Sequence, residues 1–291
     1  MKAYEKDGLL ILRPAVKFFQ PDDLDYDPNN QNEWNNQDVT YNSCLYEFKD
    51  SAEFIMIADW DDVLVPNHHR NYFDELIWLT QLYPSAAAFV FPRRHSNLYT
   101  ASTPEKFNLT FTIETIQVSW HHFNTGKFVG LPSKFNGTWV HAPTRVNPGY
   151  DVIELNTAHL QVYHFRKWIY YDQEMNFNIT SLTNMGNTKV MAFSFKNFIY
   201  RHKLQKIFNN LPTKIVYYEI MINCYGRFML LVSHNSLEEC PNVPACPLPT
   251  NVSLSCVNLV QNYTTTELRK GFMIHHSQED NLVVSKSGCK M

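Results

Sequence analysis

Residues 53–58 read EFIMIA and run directly into Asp59-Trp60-Asp61-Asp62, and this junction constrains the chain more than any other stretch. An unbroken apolar run ahead of a run of acids is the pattern of a strand buried on both faces, the habit of parallel strands in α/β sheets. Open α/β sheets bind ligands beyond the carboxyl ends of their strands, so acids placed there converge on a cleft. If the strand continues, Asp59 and Asp61 point the same way, because side chains alternate with period two. Two carboxylates so close need a cation between them or a shifted pKa. A hard divalent ion, Mn²⁺ or Mg²⁺, completed by a substrate diphosphate, meets that need. A solvated acidic turn is the plainer alternative. The apolar strand before the acids and Val63-Leu64-Val65-Pro66 after them favour the cleft.

The flanking sequence supplies the rest of an α/β layer. Tyr41, Leu45 and Phe48 recur at helical spacing from Asp38 onward. Phe73, Leu76, Ile77 and Leu79 form the stripe of a second helix over residues 71–82, closed by Pro84, and residues 86–91 read as another buried strand. Helix, strand, helix, strand in succession predicts crossover helices on a sheet. Further strands are expected at 9–12, at 138–141, 152–155 and 160–163 as antiparallel additions, and at 215–222 and 228–232. A helix is expected over 196–211. The chain then divides into a domain over 1–211 and a carboxyl-terminal extension over 212–291 with a Cys/Pro-rich tail.

Composition narrows the functional classes. With 291 residues, 44% apolar and 18% charged, the chain can bury a core and lacks the signature of disorder. Lys plus Arg number 25 against 28 for Asp plus Glu, which gives no electrostatic pull towards nucleic acid or an anionic membrane. No apolar run approaches the ~18–20 residues that span a bilayer, and the first apolar run is shorter than the ~7–15 of a secretory signal. Cys240, Cys246, Cys256 and Cys289 lie in or after a Pro-rich stretch, while Cys44 and Cys224 are isolated. Their spacing lacks the close pairs of a zinc site. At least one disulfide among the four tail cysteines, in an oxidising compartment, is therefore expected, with buried thiols as the alternative. Asn-x-Ser/Thr sequons at Asn108, Asn136, Asn178, Asn251 and Asn262 point the same way.

Three blocks, in order, carry a family resemblance. QDVTYNSCLYEFKDSAEFIMIADWDDVLVP from Gln37, GKFVGLPSKFNGTWVHAPTRV from Gly126 and VYHFR from Val162 resemble glycosyltransferase family 92. The resemblance implies an α/β, GT-A-like mixed sheet, a UDP-sugar donor, a glycan or glycoprotein acceptor, Mn²⁺, and a type II membrane enzyme on the lumenal side of the Golgi. Characterised members transfer galactose from UDP-galactose with inversion. Residue by residue, Asp59 and Asp61 match the Asp-x-Asp motif, Asp62 the acid after it, and Lys127, His141, His164 and Arg166 the later blocks. Asp59, Asp61, His164 and His141 are then expected around the metal. Arg93, Arg94 and Lys127 are candidates to neutralise the diphosphate. Glu114, between the metal motif and the late histidines, and Asp62 are the candidates for acid–base work. His121 and His122 are expected in a polar loop, as surface or acceptor-site material.

Two departures from the family pattern stand out. Trp60 replaces a smaller aliphatic residue, and a bulky indole is accommodated there if it faces the sheet. Family members also place an anchor and one or two βα units before the segment KAYEKDGLLIL, where this sequence begins. An amino-terminally truncated domain is expected, attached to a membrane only through a missing anchor. Two other readings stay open. One is an inactive truncated paralogue with a binding or structural role. The other is a haloacid-dehalogenase-like phosphatase, whose first motif FIMIADWDDVLV also resembles, with Asp59 as nucleophile and Asp61 as general acid.

Overall fold

A computed structural model describes residues 1–13, 17–20, 22–27, 29, 37–156, 161–170, 187–210, 217–234, 246, 248–249, 251–253 and 255–288. In chain order it contains α1 (Lys2–Lys6), β1 (Lys17–Phe18), α2 (Gln37–Phe48), β2 (Ile55–Ile57), β3 (Asp62–Val65), α3 (Tyr72–Leu82), β4 (Ala86–Thr100), α4 (Leu109–Glu114) and β5 (Gln117–Gly130). There follow β6 (Phe135–Thr138), β7 (Pro143–Val146), β8 (Asp151–Glu154), β9 (Gln161–Tyr170), α5 (Thr188–Arg201), α6 (Gln205–Asn209), α7 (Tyr218–Ser233), β10 (Cys256–Arg269) and β11 (Phe272–Ser285). These elements form two compact units, residues 41–213 and residues 1–40 with 214–291.

The unit over 41–213 is built on a mixed sheet with the order β2-β5-β4-β9-β3, and β8 pairs with the first half of β4. This is the α/β, GT-A-like architecture expected from the sequence. β4 is its axis because alternation along an apolar run gives it two buried faces. Phe89 and Phe91 pack with Leu76 and Leu79 of α3 on one face. Ala88 packs with Leu45 of α2, Phe128 and Phe135 on the other. Each fully buried Phe or Leu contributes about 1.5–3 kcal/mol through removal from water. Asn71 caps α3 by accepting a hydrogen bond from the Asp74 amide at 2.8 Å.

Several expected strands pair differently. β2 pairs antiparallel with β5, not parallel. Its all-apolar sequence reflects cover on both faces by α2 and α3 rather than strand direction. β8 and β9 run parallel to β4 instead of antiparallel, and β6 and β7 form a separate two-stranded ribbon. The helix expected over 196–211 is two helices, α5 and α6, broken where Lys203 adopts φ 53°.

In the other unit, residues 9–12 form no strand; Leu9 and Ile11 are exposed. Where the strands at 215–222 and 228–232 are expected, the described residues 218–222 and 228–232 belong instead to the helix α7, and 215–216 lie outside the described residues. Short β-rich windows imitate buried strands, but sixteen residues without a Pro, interrupted by the single Gly226, satisfy their backbone groups more completely as a helix. The sequence after the Pro-rich stretch forms a long hairpin, β10 and β11, with β1 added in parallel to β10. Its turn uses Gly271 at φ +76°, a conformation that glycine adopts without a Cβ penalty. Phe18, Tyr263 and His275 form an aromatic cluster, with Phe18 and Tyr263 ring centroids 5.4 Å apart and Tyr263 and His275 5.0 Å apart.

Cys224 is disulfide-bonded to Cys246, so a cysteine isolated in sequence joins the tail, and Cys256 is disulfide-bonded as well. Cys240, Cys289 and Asn178 lie outside the described residues. The other four sequon asparagines are exposed. Among the described residues no helix is long and apolar enough to cross a membrane.

Candidate metal and donor site

The acids after β2 do not continue the strand. The Asp62 amide donates to the Asp59 carbonyl at 3.0 Å, closing a turn over four residues. The Asp59 amide in return donates to Asp62 Oδ2 at 3.3 Å. Asp at the first position is a favoured start for such a turn. Because the chain reverses, Asp59 and Asp61 do not share a strand face. Trp60 sits at the apex, 82% exposed, and does not face the sheet.

The reversal delivers Asp62 to the first position of β3, directly opposite His164 of β9. His164 Nδ1 lies 3.0 Å from Asp62 Oδ1 and 3.6 Å from Asp61 Oδ2. The Phe165 amide donates to the Asp61 carbonyl at 2.8 Å and ties the turn to β9. Asp61, Asp62 and His164 together offer three ligand atoms within 4.8 Å of one another. Two carboxylates and an imidazole are a donor set that suits Mn²⁺ and accommodates Mg²⁺.

Lys127 reaches the same acids from β5. Its side chain is wholly buried, with Nζ 2.9 Å from Asp59 Oδ2 and 3.5 Å from Asp62 Oδ2. Burial acts to raise the Asp62 pKa. The hydrogen bond from His164, the Lys127 charge and the Asp59 amide outweigh it and hold the carboxyl below the usual carboxylate range.

Strand alternation explains why these groups meet. Phe91 lies opposite Lys127 and Phe89 opposite Val129, while Val162, two residues before His164, belongs to the core under α3. Lys127 and His164 therefore continue the face that Phe89, Phe91, Val129 and Val162 occupy, and the apolar end of that face grades into an ionic end. Gly126 permits the approach of β5 to β4, since a Cβ there would overlap the Phe91 carbonyl.

The remaining candidates lie around this centre or apart from it. His141 Nδ1 lies 2.9 Å from the carbonyl of Gly126, beside Lys127, and is not in the three-residue group. Arg93 and Arg94 sit on β4 opposite Val162 and Tyr163, and Arg93 Nε is buried with no hydrogen-bond partner among the described residues. Glu114, exposed at the end of α4, accepts a hydrogen bond from Thr188 at 2.7 Å. His121 and His122 lie within β5 rather than in a loop. His95 carries no signal in the sequence. It is opposite His164 in the β4–β9 register, with ring centroids 5.2 Å apart. Only that register, which no local motif encodes, brings the two rings together.

Residues 1–209 match the sequence model of Glycosyltransferase family 92. The chain is similar to Glycosyltransferase family 92 protein F59C6.8 of Caenorhabditis elegans, 24% identical over 91% of this chain and 54% of that protein. It is also similar to Glycosyltransferase family 92 protein F13G3.3 of the same organism, 23% identical over all of this chain and 61% of that protein. The chain thus spans a little over half the length of these relatives. With a GT-A-like sheet, an acid turn facing a late-strand histidine and a match over most of its length, the chain belongs to glycosyltransferase family 92.

Proposed function

We propose that this chain carries the centre of a metal-dependent glycosyltransferase that moves a hexose, galactose in this reading, from a UDP-sugar to a glycan acceptor with inversion. The observation that carries the reading is the convergence of Asp61, Asp62 and His164 in a chain of this family. Those three residues would hold Mn²⁺ or Mg²⁺. The ion, when bound, supplies positive charge to the departing diphosphate. Asp62, buried and ionised, fixes His164, and the carbonyl of Asp61 is anchored to β9, so the donor atoms are pre-positioned. Arg93, with a buried Nε lacking a partner among the described residues, suits an anionic oxygen. Disulfide bonding of Cys224, Cys246 and Cys256 fits the lumen of the secretory pathway, and the Golgi is the compartment of this reading.

Calorimetry tests it directly. UDP binding should require Mn²⁺ and disappear in Asp61→Asn; UDP binding of equal strength in EDTA overturns the metal reading. Turnover with UDP-galactose in preference to other UDP-hexoses, with the product anomer opposite to the donor's, tests the sugar and the stereochemistry.

A further inference from the structure

We propose that Lys127 is an internal counter-cation that keeps the acidic turn from binding a divalent ion tightly until a nucleotide diphosphate arrives, so that metal and donor enter the site together. The inference rests on the metal reading above and assigns the regulation of that same site. Lys127 has no exposed side-chain surface, and its ammonium lies 2.9 Å from Asp59 and 3.5 Å from Asp62. Reaching out to a diphosphate would break both pairs and leave a buried carboxylate unmatched, which is strongly destabilising. The ammonium instead remains among the acids.

There it competes for the carboxylate that a metal needs. Asp62 offers Oδ1 towards His164 and Oδ2 towards Lys127. An ion bound by Asp61, Asp62 and His164 shares Asp62 with a fixed positive charge that water cannot screen. At the effective dielectric of a protein interior, like charges a few ångströms apart repel strongly enough to weaken binding on the order of tenfold or more. The opposite side of the group is open, since Asp61 is partly exposed and Trp60 projects into solvent. A diphosphate arriving there adds negative oxygens and offsets the repulsion. By linkage, the ion strengthens diphosphate binding by the same factor by which the diphosphate strengthens the ion. Asp59, the nearest partner of Lys127, lies outside the three-residue metal group and serves to hold the ammonium in place.

The test is Mn²⁺ titration by calorimetry, with and without UDP, on the wild type, Lys127→Met and the double variant Asp59→Asn/Lys127→Met. The double variant removes both partners of one ion pair, which protein interiors tolerate better than removal of one. Mn²⁺ alone should bind Lys127→Met about tenfold more tightly than the wild type; the double variant, which also loses the more distant negative charge of Asp59, should still gain but by less, and the gain in Mn²⁺ affinity caused by UDP should shrink in both. A purely structural role for Lys127 moves Mn²⁺ affinity down, and direct ligation by Asp59 lowers it in the double variant. Unchanged or weaker Mn²⁺ binding in the folded variants overturns the inference while wild-type UDP binding still depends on Mn²⁺. Loss of that dependence in the wild type itself overturns the metal reading beneath it.

Discussion

Phe91 and Val284 are both apolar residues in long strands, yet Phe91 is fully buried and Val284 is 61% exposed. Phe91 belongs to a sheet covered by α2 on one face and α3 on the other. Val284 belongs to a two-stranded ribbon whose added strand, β1, pairs at only two residues. The same residue chemistry thus stabilises one unit by burial and leaves the other dependent on its aromatic cluster and its disulfides. The comparison is tested most severely by truncation. Phe91→Ala should cost about 3–5 kcal/mol, whereas Val284→Ala should stay within about 0.5 kcal/mol. Denaturant unfolding of the two variants measures both, and a Val284 cost approaching that of Phe91 would break the contrast.

The second largest effect belongs to the ribbon unit. The Cys224–Cys246 bond closes a loop with a sequence separation of 22 residues, which stabilises by about 3 kcal/mol in the chain-entropy account. Cys246→Ser should therefore reduce hydrogen-exchange protection across α7. Protection of β4 should hardly change, because that strand draws on the buried cores of the other unit. Equal losses in α7 and β4 would show that the two units open as one.

A smaller effect sharpens the ionic end of the sheet. Gly126→Ala places a Cβ on the Phe91 carbonyl, so β5 has to shift next to Lys127. We expect about 1–3 kcal/mol of destabilisation from such overpacking, with weaker Mn²⁺-dependent UDP binding. An alanine variant with wild-type melting temperature and binding would show that the strand yields without cost.

The difference between the units also separates what the sequence makes legible from what it hides. α2, α3, β2 and the start of β4 follow from apolar spacing, an Asn cap and a closing Pro, all local signals. The turn at Asp59 reads as strand in the sequence because Trp60 and Asp61 lack the Gly or Pro that marks many turns, although Asp at the first position is a usable sign. Asp61, His164 and Lys127 are singled out by the sequence, but the contacts that join them are not. The Asp62–His164, His95–His164 and Phe91–Lys127 juxtapositions are set by register between strands distant in sequence. α7 and the β10–β11 hairpin are hidden for another reason. A long apolar helix and two short apolar strands share the same window content, and the Pro-rich stretch overshadows Lys270-Gly271, a two-residue turn between β-rich runs.

Acid titration should produce the smallest effect and set the units apart by pH. His275 packs against Phe18, Tyr26 and Tyr263, and burial disfavours its charged form, so its pKa lies below the ordinary histidine value. Its neutral form is the one that the fold accommodates. The stabilisation is complete above about pH 6.5 and is lost as pH falls from there through the folded pKa, because the unfolded chain binds the proton more readily. Asp62 has a depressed carboxyl pKa and contributes in a lower window. Its share is intact above about pH 4 and disappears only as pH falls through the folded value. Acidification from neutrality should therefore loosen the ribbon around His275 first, while the turn at Asp62 holds until the carboxylate range. Hydrogen exchange of β10 and β3 across this pH series measures the order, and His275→Gln should remove the upper step alone. A single shared transition near about pH 4, with no change between about pH 7 and 5, would mean that the imidazole is as easily protonated in the folded ribbon as in water.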